Sequence, residues 1–256
     1  MPITRADYAR ATFGSPEAPM PGSRRRSVLV ARLRARSPGA PPGAILSDLR
    51  SCILDGEVPP GSPIPVDAVA AAFGVSRIPV REALMTLIGE GLVDHRPHLG
   101  YRVAKLTAEE FAEVYLVREA LETAALRVAV AQAGAADDER AGAAHAALEA
   151  AVRAGDGRAY HRESRRFHLA LIRPCRMRRL LHMLGTAWNL TEPLQPMTHL
   201  GDADRELLHR DHAAMLAAFA ARDADALVAT CAAHHHRLQS YIALLPRDTG
   251  LFAEPA

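Results

Sequence analysis

Apolar residues recur at helical spacing from about residue 44 onward. In "AILSDLRSCILDGEV", Ile45, Leu49 and Ile53 share one helix face. After the turn-forming run "PPGSPIP", "VDAVAAAFGV" predicts a second short helix that ends at Gly74. Ser76 then opens a third helix, "RIPVREALMTLIGEG", and two short strand-like runs around "RPHLG" predict a hairpin. Three helices followed by a two-stranded wing predict a winged helix-turn-helix domain.

A different pattern fills the rest of the chain, residues 106–245. Six helical segments, from "FAEVYLVREAL" to "ALVATCAAHHHRLQSYIALL", follow one another across short turns rich in Gly, Asp and Pro. They predict an antiparallel helical bundle, whose core can host a ligand or a metal ion. The fold class is therefore mainly α: a winged helix-turn-helix over 44–105, an all-α bundle over 106–245 and a C-terminal tail over 246–256.

Pro79 stands between two arginines, Arg77 and Arg81, near the start of the third helix. With Ser76 as the N-cap, Pro79 occupies the third helical position, where a backbone N–H has no acceptor within the helix, so proline costs little. The arginines are four residues apart and share one face. In a winged helix-turn-helix this turn enters the major groove, where arginine binds guanine or phosphate. The alternative is an ordinary solvated helix face.

Composition narrows the class of protein. The 256 residues are 49% hydrophobic, enough for two modest cores. We expect a cytoplasmic protein without a membrane span, because no apolar run reaches 18 residues and no apolar leader segment opens the chain. Cys52, Cys175 and Cys231 form no CxxC pair, which favours buried thiols over disulfides.

The charge is concentrated in residues 1–43, which hold eight arginines against two acidic residues. This segment is rich in Pro and Gly and is predicted to be a disordered basic tail, with a short helix over 27–36 as its one ordered candidate. Two interpretations stay open. The tail is an extension without a role or the product of a wrongly assigned start, or it is an arm whose Arg24, Arg25 and Arg26 contact DNA phosphates.

The run "PPGSPIPVDAVAAAFGVSRIPVREALMTLIGEGLVDHRPHLGYRV" closely resembles the DNA-binding domain of GntR-family bacterial transcription regulators. This resemblance implies that Arg77 and Arg81 make the main DNA contacts, with Ser76 and Pro79 at the helix start and Gly100 at the wing tip. It also implies a homodimer that reads a palindromic operator in double-stranded DNA. The second helix, "VAAAF", lacks the charges that the family usually carries there.

The segments "VREALETAA", "RRFHLAL" and "RDHAAMLAAFAARDADA" resemble the C-terminal ligand-binding domain of FadR-type members of that family, the FCD domain, in its six-helix branch. The resemblance implies a small carboxylate effector, held by Arg118. The residues themselves leave a second interpretation open, since Glu122 lies one helical turn after Arg118 and can form a salt bridge with it.

Within the same resemblance His168, His212 and His234 match metal-ligand positions, and three imidazoles suit Zn²⁺ or Ni²⁺. The family usually places Asp where this chain has Ser164. The site therefore holds a metal through three histidines with water or effector, or it has lost the metal. In the run "HHH", adjacent helical side chains diverge by about 100°, so we expect His234 to face the core and the next two histidines to be peripheral.

The sequence thus predicts a ligand-responsive, DNA-binding transcription regulator, a repressor released by a small organic acid, and not an enzyme. One alternative is a DNA-binding regulator that has lost metal or effector sensing. A remote alternative is a zinc-dependent hydrolase, because three histidines and an open position also suit hydrolysis. The absence of a His-Glu-x-x-His segment argues against it. The sequence names neither the effector nor the operator.

Overall fold

The computed structural model describes residues 27–36, 44–243 and 251–253. The chain divides into two compact units. The described part of the first unit is 27–36, 44–108, 192–194 and 251–253, and that of the second is 109–191 and 195–243. The division after Ala108 lies close to the predicted domain boundary at 105–106.

The described residues of the first unit contain four α-helices and one antiparallel sheet. The elements are α1 (Val28–Arg36), α2 (Ile45–Leu54), β1 (Pro63–Ile64), α3 (Val66–Phe73), α4 (Arg77–Gly89), β2 (Val93–Arg96) and β3 (Gly100–Val103). The strand order is β1-β3-β2, so the predicted hairpin is confirmed as the β2-β3 pair. The winged helix-turn-helix prediction holds.

Helix α1 is the short helix predicted over 27–36, and it shortens the predicted disordered tail of residues 1–43. Val28–Arg36 is helical, and Leu29 and Leu33 join the buried core of the first unit. They lie one turn apart and form an apolar face whose burial outweighs the charge of the flanking arginines. The rest of the predicted tail, including the three arginines of the proposed arm, lies outside the described residues.

The C-terminal end and the sheet add two further corrections. Phe252 is buried, and the Ala253 N–H donates to the Leu106 carbonyl at 2.8 Å, so part of the predicted tail belongs to the first unit. The run "PPGSPIP", predicted only as a turn, also contributes β1, which pairs with β3. An edge strand tolerates Pro63, because its missing N–H removes no bond that the sheet needs.

The turn from α3 to α4 fixes the orientation of the second of these helices. Gly74 closes α3 in the left-handed region, at φ +66°, which favours glycine. Ser76 is the N-cap residue of α4, as predicted, but its side chain makes no capping bond. Pro79 is the third helical residue, as expected. Val80 and Leu84 are among the residues that turn the opposite face of α4 into the core.

The second unit confirms the predicted bundle of six helices. They are α5 (Ala108–Gln132), α6 (Ala135–Arg153), α7 (Gly157–Ile172), α8 (Arg178–Thr191), α9 (Asp202–Ala220) and α10 (Ala224–Ala243). Within the described residues, none of the helices has the length and apolar character needed to cross a membrane. All three cysteines are free and buried, as predicted.

We predict that Leu84→Ala destabilises the first unit by about 2–5 kcal/mol, because Leu84 is fully buried and its loss leaves a cavity. The neighbouring Met85 is 61% exposed, so Met85→Ala is the matched control and should change stability by less than about 0.5 kcal/mol. Chemical denaturation followed by circular dichroism measures both. Equal losses in the two variants would contradict this packing of α4.

Candidate functional site

Three histidines predicted as metal ligands converge inside the second unit. His168 lies on α7, His212 on α9 and His234 on α10, and all three are buried. One ring nitrogen of each lies within 4.8 Å of the others. The sequence positions are far apart, so it is the packing of three helices that forms the cluster.

The ring nitrogens of His168 and His212 face each other. Their Nε2 atoms are 3.2 Å apart. The opposite nitrogen of each ring has its own partner: His168 Nδ1 donates to Glu122 Oε1, and His212 Nδ1 lies 3.2 Å from the Tyr160 hydroxyl. A single proton satisfies the Nε2 contact when no cation is present. A tetrahedral zinc ion with bonds of about 2.0–2.1 Å places its ligand nitrogens about 3.3 Å apart, so the observed spacing fits a shared ion.

The third ring, His234, has an acidic residue beside it. Its Nδ1 lies 3.5 Å from Asp211 Oδ2 and makes no hydrogen bond at that distance. Asp211 also accepts from Arg237 Nε at 3.0 Å. Burial opposes ionisation of Asp211, but His234 and Arg237 together hold the pKa of this carboxyl below its ordinary value. A carboxylate behind a ligand histidine is a common outer partner in metal sites.

Burial keeps two of these histidines neutral. Burial is the main cause that lowers the pKa of His212 well below its ordinary value, and the neighbouring histidines add to it. Burial also lowers the pKa of His234, to about 4. Neutral imidazole is the form that binds a metal ion, so at neutral pH these rings are ready to act as ligands.

Glu122 is the site residue that the sequence interpretation missed. It lies on α5, is fully buried, and accepts from His168 Nδ1 and from His235 Nε2, the latter at 3.0 Å. Burial raises its pKa, but the two imidazoles outweigh burial and bring the pKa well below the ordinary value. Glu122 is therefore a buried carboxylate that orients a candidate ligand.

The expectation that His235 is peripheral is wrong. His235 is 2% exposed and bonded to Glu122, whereas the side chain of His236 is 70% exposed, as expected. The buried face of α10 spans more than one side-chain direction, so His234 faces the triad while His235 meets α5. The polar character of Glu122, one turn after Arg118, was visible in the sequence, but we assigned it only to a possible salt bridge.

A second group overlaps the triad. One ligand atom each from Glu122, His168, Cys231 and His235 also lies within 4.8 Å of the others. Burial raises the pKa of the Cys231 thiol well above its ordinary value, and the Glu122 carboxylate raises it further. A protonated thiol is a poor ligand, so this group fits a hydrogen-bonded network better than a second ion.

Ser164 stands beside the triad, where the sequence placed it. Its Oγ is 3.4 Å from His212 Nε2, and the residue is buried. A neutral hydroxyl binds these ions weakly, so a coordination position is left for water or for a ligand oxygen. Three imidazoles with an open oxygen position suit Zn²⁺ or Ni²⁺, and the residues present fit such an ion.

Arg118 lies in an aromatic setting near the triad. Its guanidinium carbon is 4.4 Å from the centre of the Tyr115 ring and 5.2 Å from that of Trp188, and Nη1 donates to Thr191 Oγ1 at 3.0 Å. The Trp188 ring centre is 6.2 Å from that of His168. The alternative salt bridge to Glu122 does not form, because that carboxylate is bonded to histidines. Arg118 is thus a buried cation without an acidic partner among the described residues, and its Nε has no hydrogen-bond partner.

The predicted DNA-binding residues lie on the surface of the first unit. Ser76, Arg77 and Arg81 are exposed at the start of α4. Arg77 pairs with Asp67 of α3, but both side chains are about two-thirds exposed, at 65% and 69%, so the pair is weak. Gly100, at φ +74°, opens β3 immediately after the turn between the two wing strands.

Comparison with known families covers both units. Residues 43–103 match the gntR family of bacterial regulatory proteins, and residues 113–237 match the FCD domain. The chain is 34% identical over 155 residues to a probable D-xylose utilization operon transcriptional repressor of Paenarthrobacter nicotinovorans, which covers 60% of this chain and 66% of that protein. It is 41% identical over 76 residues to the gluconate operon transcriptional repressor of Bacillus subtilis, over 30% of this chain and 31% of that protein.

Solved structures show the same fold. E. coli McbR/YncC superposes with a TM-score of 0.70 at 22% identity, over 79% of this chain and 96% of that one. A GntR-type putative transcriptional regulator from Rhodococcus sp. RHA1 has a TM-score of 0.68 at 24% identity, over 79% of this chain and 97% of that one. At these identities the likeness concerns the fold alone.

We predict that the chelator-treated protein loses stability as the pH falls from 6.5 to about 4, the ordinary and folded-state pKa values of His234. In this window the unfolded chain binds a proton at His234 that the folded protein does not, so acid favours unfolding. Trp188, the only tryptophan, reports thermal unfolding of the second unit by fluorescence.

The matched variant is His234→Asn, which cannot titrate in this range. Its unfolding temperature should depend less steeply on pH than that of the natural chain between these two values. Parallel curves for the two proteins would contradict a buried neutral His234.

Proposed function

The chain belongs to the GntR family of bacterial regulatory proteins and carries an FCD domain, and we propose that it is a transcriptional repressor released from its operator by a small carboxylate. The relatives are transcription regulators, so the hydrolase alternative is dropped. The single observation that supports the effector class best is Arg118, a buried guanidinium with no acidic partner among the described residues.

The first unit reads double-stranded DNA through α4. Arg77 and Arg81 project from its first turn and a half, and their exposed guanidinium groups can bond guanine O6 and N7 or phosphate oxygens in the major groove. The ion pair between Asp67 and Arg77 is weak in the free protein, so it leaves Arg77 available for DNA. The wing, with Gly100 at its turn, lies on the same unit and contacts the DNA backbone. A homodimer would place one such unit on each half of a palindromic operator.

The second unit binds the effector. The Arg118 guanidinium, which lies against Tyr115 and Trp188, can donate a two-pronged hydrogen bond to a carboxylate, the geometry that favours arginine over lysine. His168, His212 and His234 would hold the metal ion, which supplies an electrophilic position for an effector oxygen beside Ser164. Glu122 keeps the His168 ring in place.

Release follows from linkage between the two binding events. The effector lowers operator affinity only as far as it binds the released state more tightly than the DNA-bound state. The relatives named as repressors of a D-xylose utilization operon and of a gluconate operon support repression as the regulatory mode and a small oxygen-rich metabolite as the signal.

One alternative stays within the same family. Ser164 weakens the metal site, and a chain that had lost the ion would bind DNA without sensing an effector. A single DNA-binding assay distinguishes a regulator that senses an effector from one that does not. Operator affinity that responds to small organic acids only when Zn²⁺ or Ni²⁺ is present supports the sensing regulator, and affinity that never responds supports the constitutive binder.

We predict that Arg77→Ala and Arg81→Ala each weaken binding to a DNA duplex selected by the natural protein by about 10- to 100-fold. Fluorescence anisotropy at fixed salt measures the affinity, and circular dichroism checks the fold. The control is Arg127→Ala, which removes the same charge from an exposed residue of the second unit. Unchanged binding by both α4 variants would show that this helix does not read DNA.

We predict one Zn²⁺ or Ni²⁺ ion per chain in calorimetric titration of the chelator-treated protein. His212→Ala should weaken that binding by more than about 100-fold, because losing a ligand costs more than losing an outer partner. His209→Ala is the matched control, since His209 lies one turn earlier on α9 and stacks on His145 at 4.8 Å, outside the triad.

The metal proposal would be overturned by either of two results: no heat of binding for either ion, or equal weakening in the His209 and His212 variants. Trp188 fluorescence of each variant confirms that the bundle is folded, so a failure to fold cannot be mistaken for the loss of a ligand.

A further inference from the structure

One apolar side chain of the DNA-binding unit stands in water without an evident structural reason. Ile78 is 68% exposed, the largest exposed fraction among the large apolar side chains of the described residues. It is the second residue of α4. An exposed isoleucine contributes nothing to the core and has only modest helix propensity, so the free protein gives it no stabilising role.

The position of Ile78 on α4 is opposite to the core. At about 100° per residue, Ile78 lies on the far side of the helix from Val80 and Leu87, which are buried. An arc of about 100° around the helix axis contains Ile78 and both arginines, Arg77 and Arg81. Arg81 lies between the other two on this arc. The apolar side chain therefore belongs to the same surface as the two arginines that we propose to read DNA.

The major groove offers one apolar group to such a side chain. Thymine alone of the four bases carries a C5-methyl group there, and apolar side chains read it by contact. The N-terminal turn of a reading helix is the part that reaches the base edges. Ile78 lies in that turn, next to two side chains that reach for guanine or phosphate.

We propose that Ile78 is a specificity-determining residue that packs on the methyl group of a thymine next to the positions bound by Arg77 and Arg81. The contact buries apolar surface on both partners and so favours thymine over the other bases at one position of each bound site. This inference rests on the proposed function, in which α4 reads DNA. It is tested separately, because Arg77 and Arg81 can bind DNA whether or not Ile78 contacts a thymine.

The test removes single methyl groups from DNA. Duplexes are first selected from a random pool by the natural full-length protein, and each thymine of the selected site is then replaced by deoxyuridine. This base keeps the pairing and the O4 acceptor of thymine and lacks only the methyl group. We expect one replacement in each half-site to weaken binding by about fourfold, the value of one buried methyl-sized group, and the others to have little effect.

The variant Ile78→Ala then assigns the contact. It should bind the thymine duplex about fourfold or more weakly than the natural protein, and it should no longer distinguish thymine from deoxyuridine at the sensitive position. The matched control is Met85→Ala. Met85 lies on the same face and is 61% exposed, but it is about 10 Å further along the helix axis, so this variant should keep the discrimination.

Each outcome decides the inference. If Ile78→Ala still discriminates thymine from deoxyuridine, or if no replacement weakens binding of the natural protein, the inference is overturned, while the reading role of α4 is judged separately by the Arg77 and Arg81 variants. If the natural protein selects no sequence at all, the inference and the proposed function both fail. Circular dichroism confirms that each variant is folded.

Discussion

The candidate site of the second unit depends on the burial of four imidazole rings close together in the core. His168, His212, His234 and His235 are all buried, and burying polar rings is costly unless each nitrogen finds a partner. A single carboxylate, Glu122, serves two of them, while Asp211 and the Tyr160 hydroxyl stand behind the other two. One nitrogen of each of His168, His212 and His234 lies within 4.8 Å of the others, a spacing that a metal ion can bridge.

The commitment of Glu122 to the histidines also explains why Arg118 has no acidic partner among the described residues. Glu122, the acidic residue one helical turn after it on α5, is committed to the histidines, so the guanidinium is left against two aromatic rings with a threonine hydroxyl as its partner. A buried cation of this kind is costly without an anion. A carboxylate ligand would supply the missing charge beside the open coordination position, so the effector would complete the electrostatics of the core.

The sequence predicted much of this and missed particular parts for physical reasons. Helical periodicity was sufficient for the six-helix bundle, and the start of α4 followed from Ser76 and Pro79. The short helix over 27–36 was predicted, but its membership of the first unit's core was not, because Leu29 and Leu33 lie among arginines and between Pro- and Gly-rich flanks. The network around Glu122 was missed because it depends on the packing of α5 against α7 and α10, which no local pattern encodes.

We propose that three imidazoles, and not the neighbouring thiol, hold a metal ion in the second unit. X-ray absorption spectroscopy of the chelator-treated protein reloaded with one equivalent of Zn²⁺ tests it most directly. We predict a first shell of nitrogen and oxygen alone, with distances of about 2.0–2.1 Å and multiple-scattering features of imidazole. A sulfur neighbour at about 2.3 Å would place the ion at Cys231 and contradict the account, as would zinc that remains unbound.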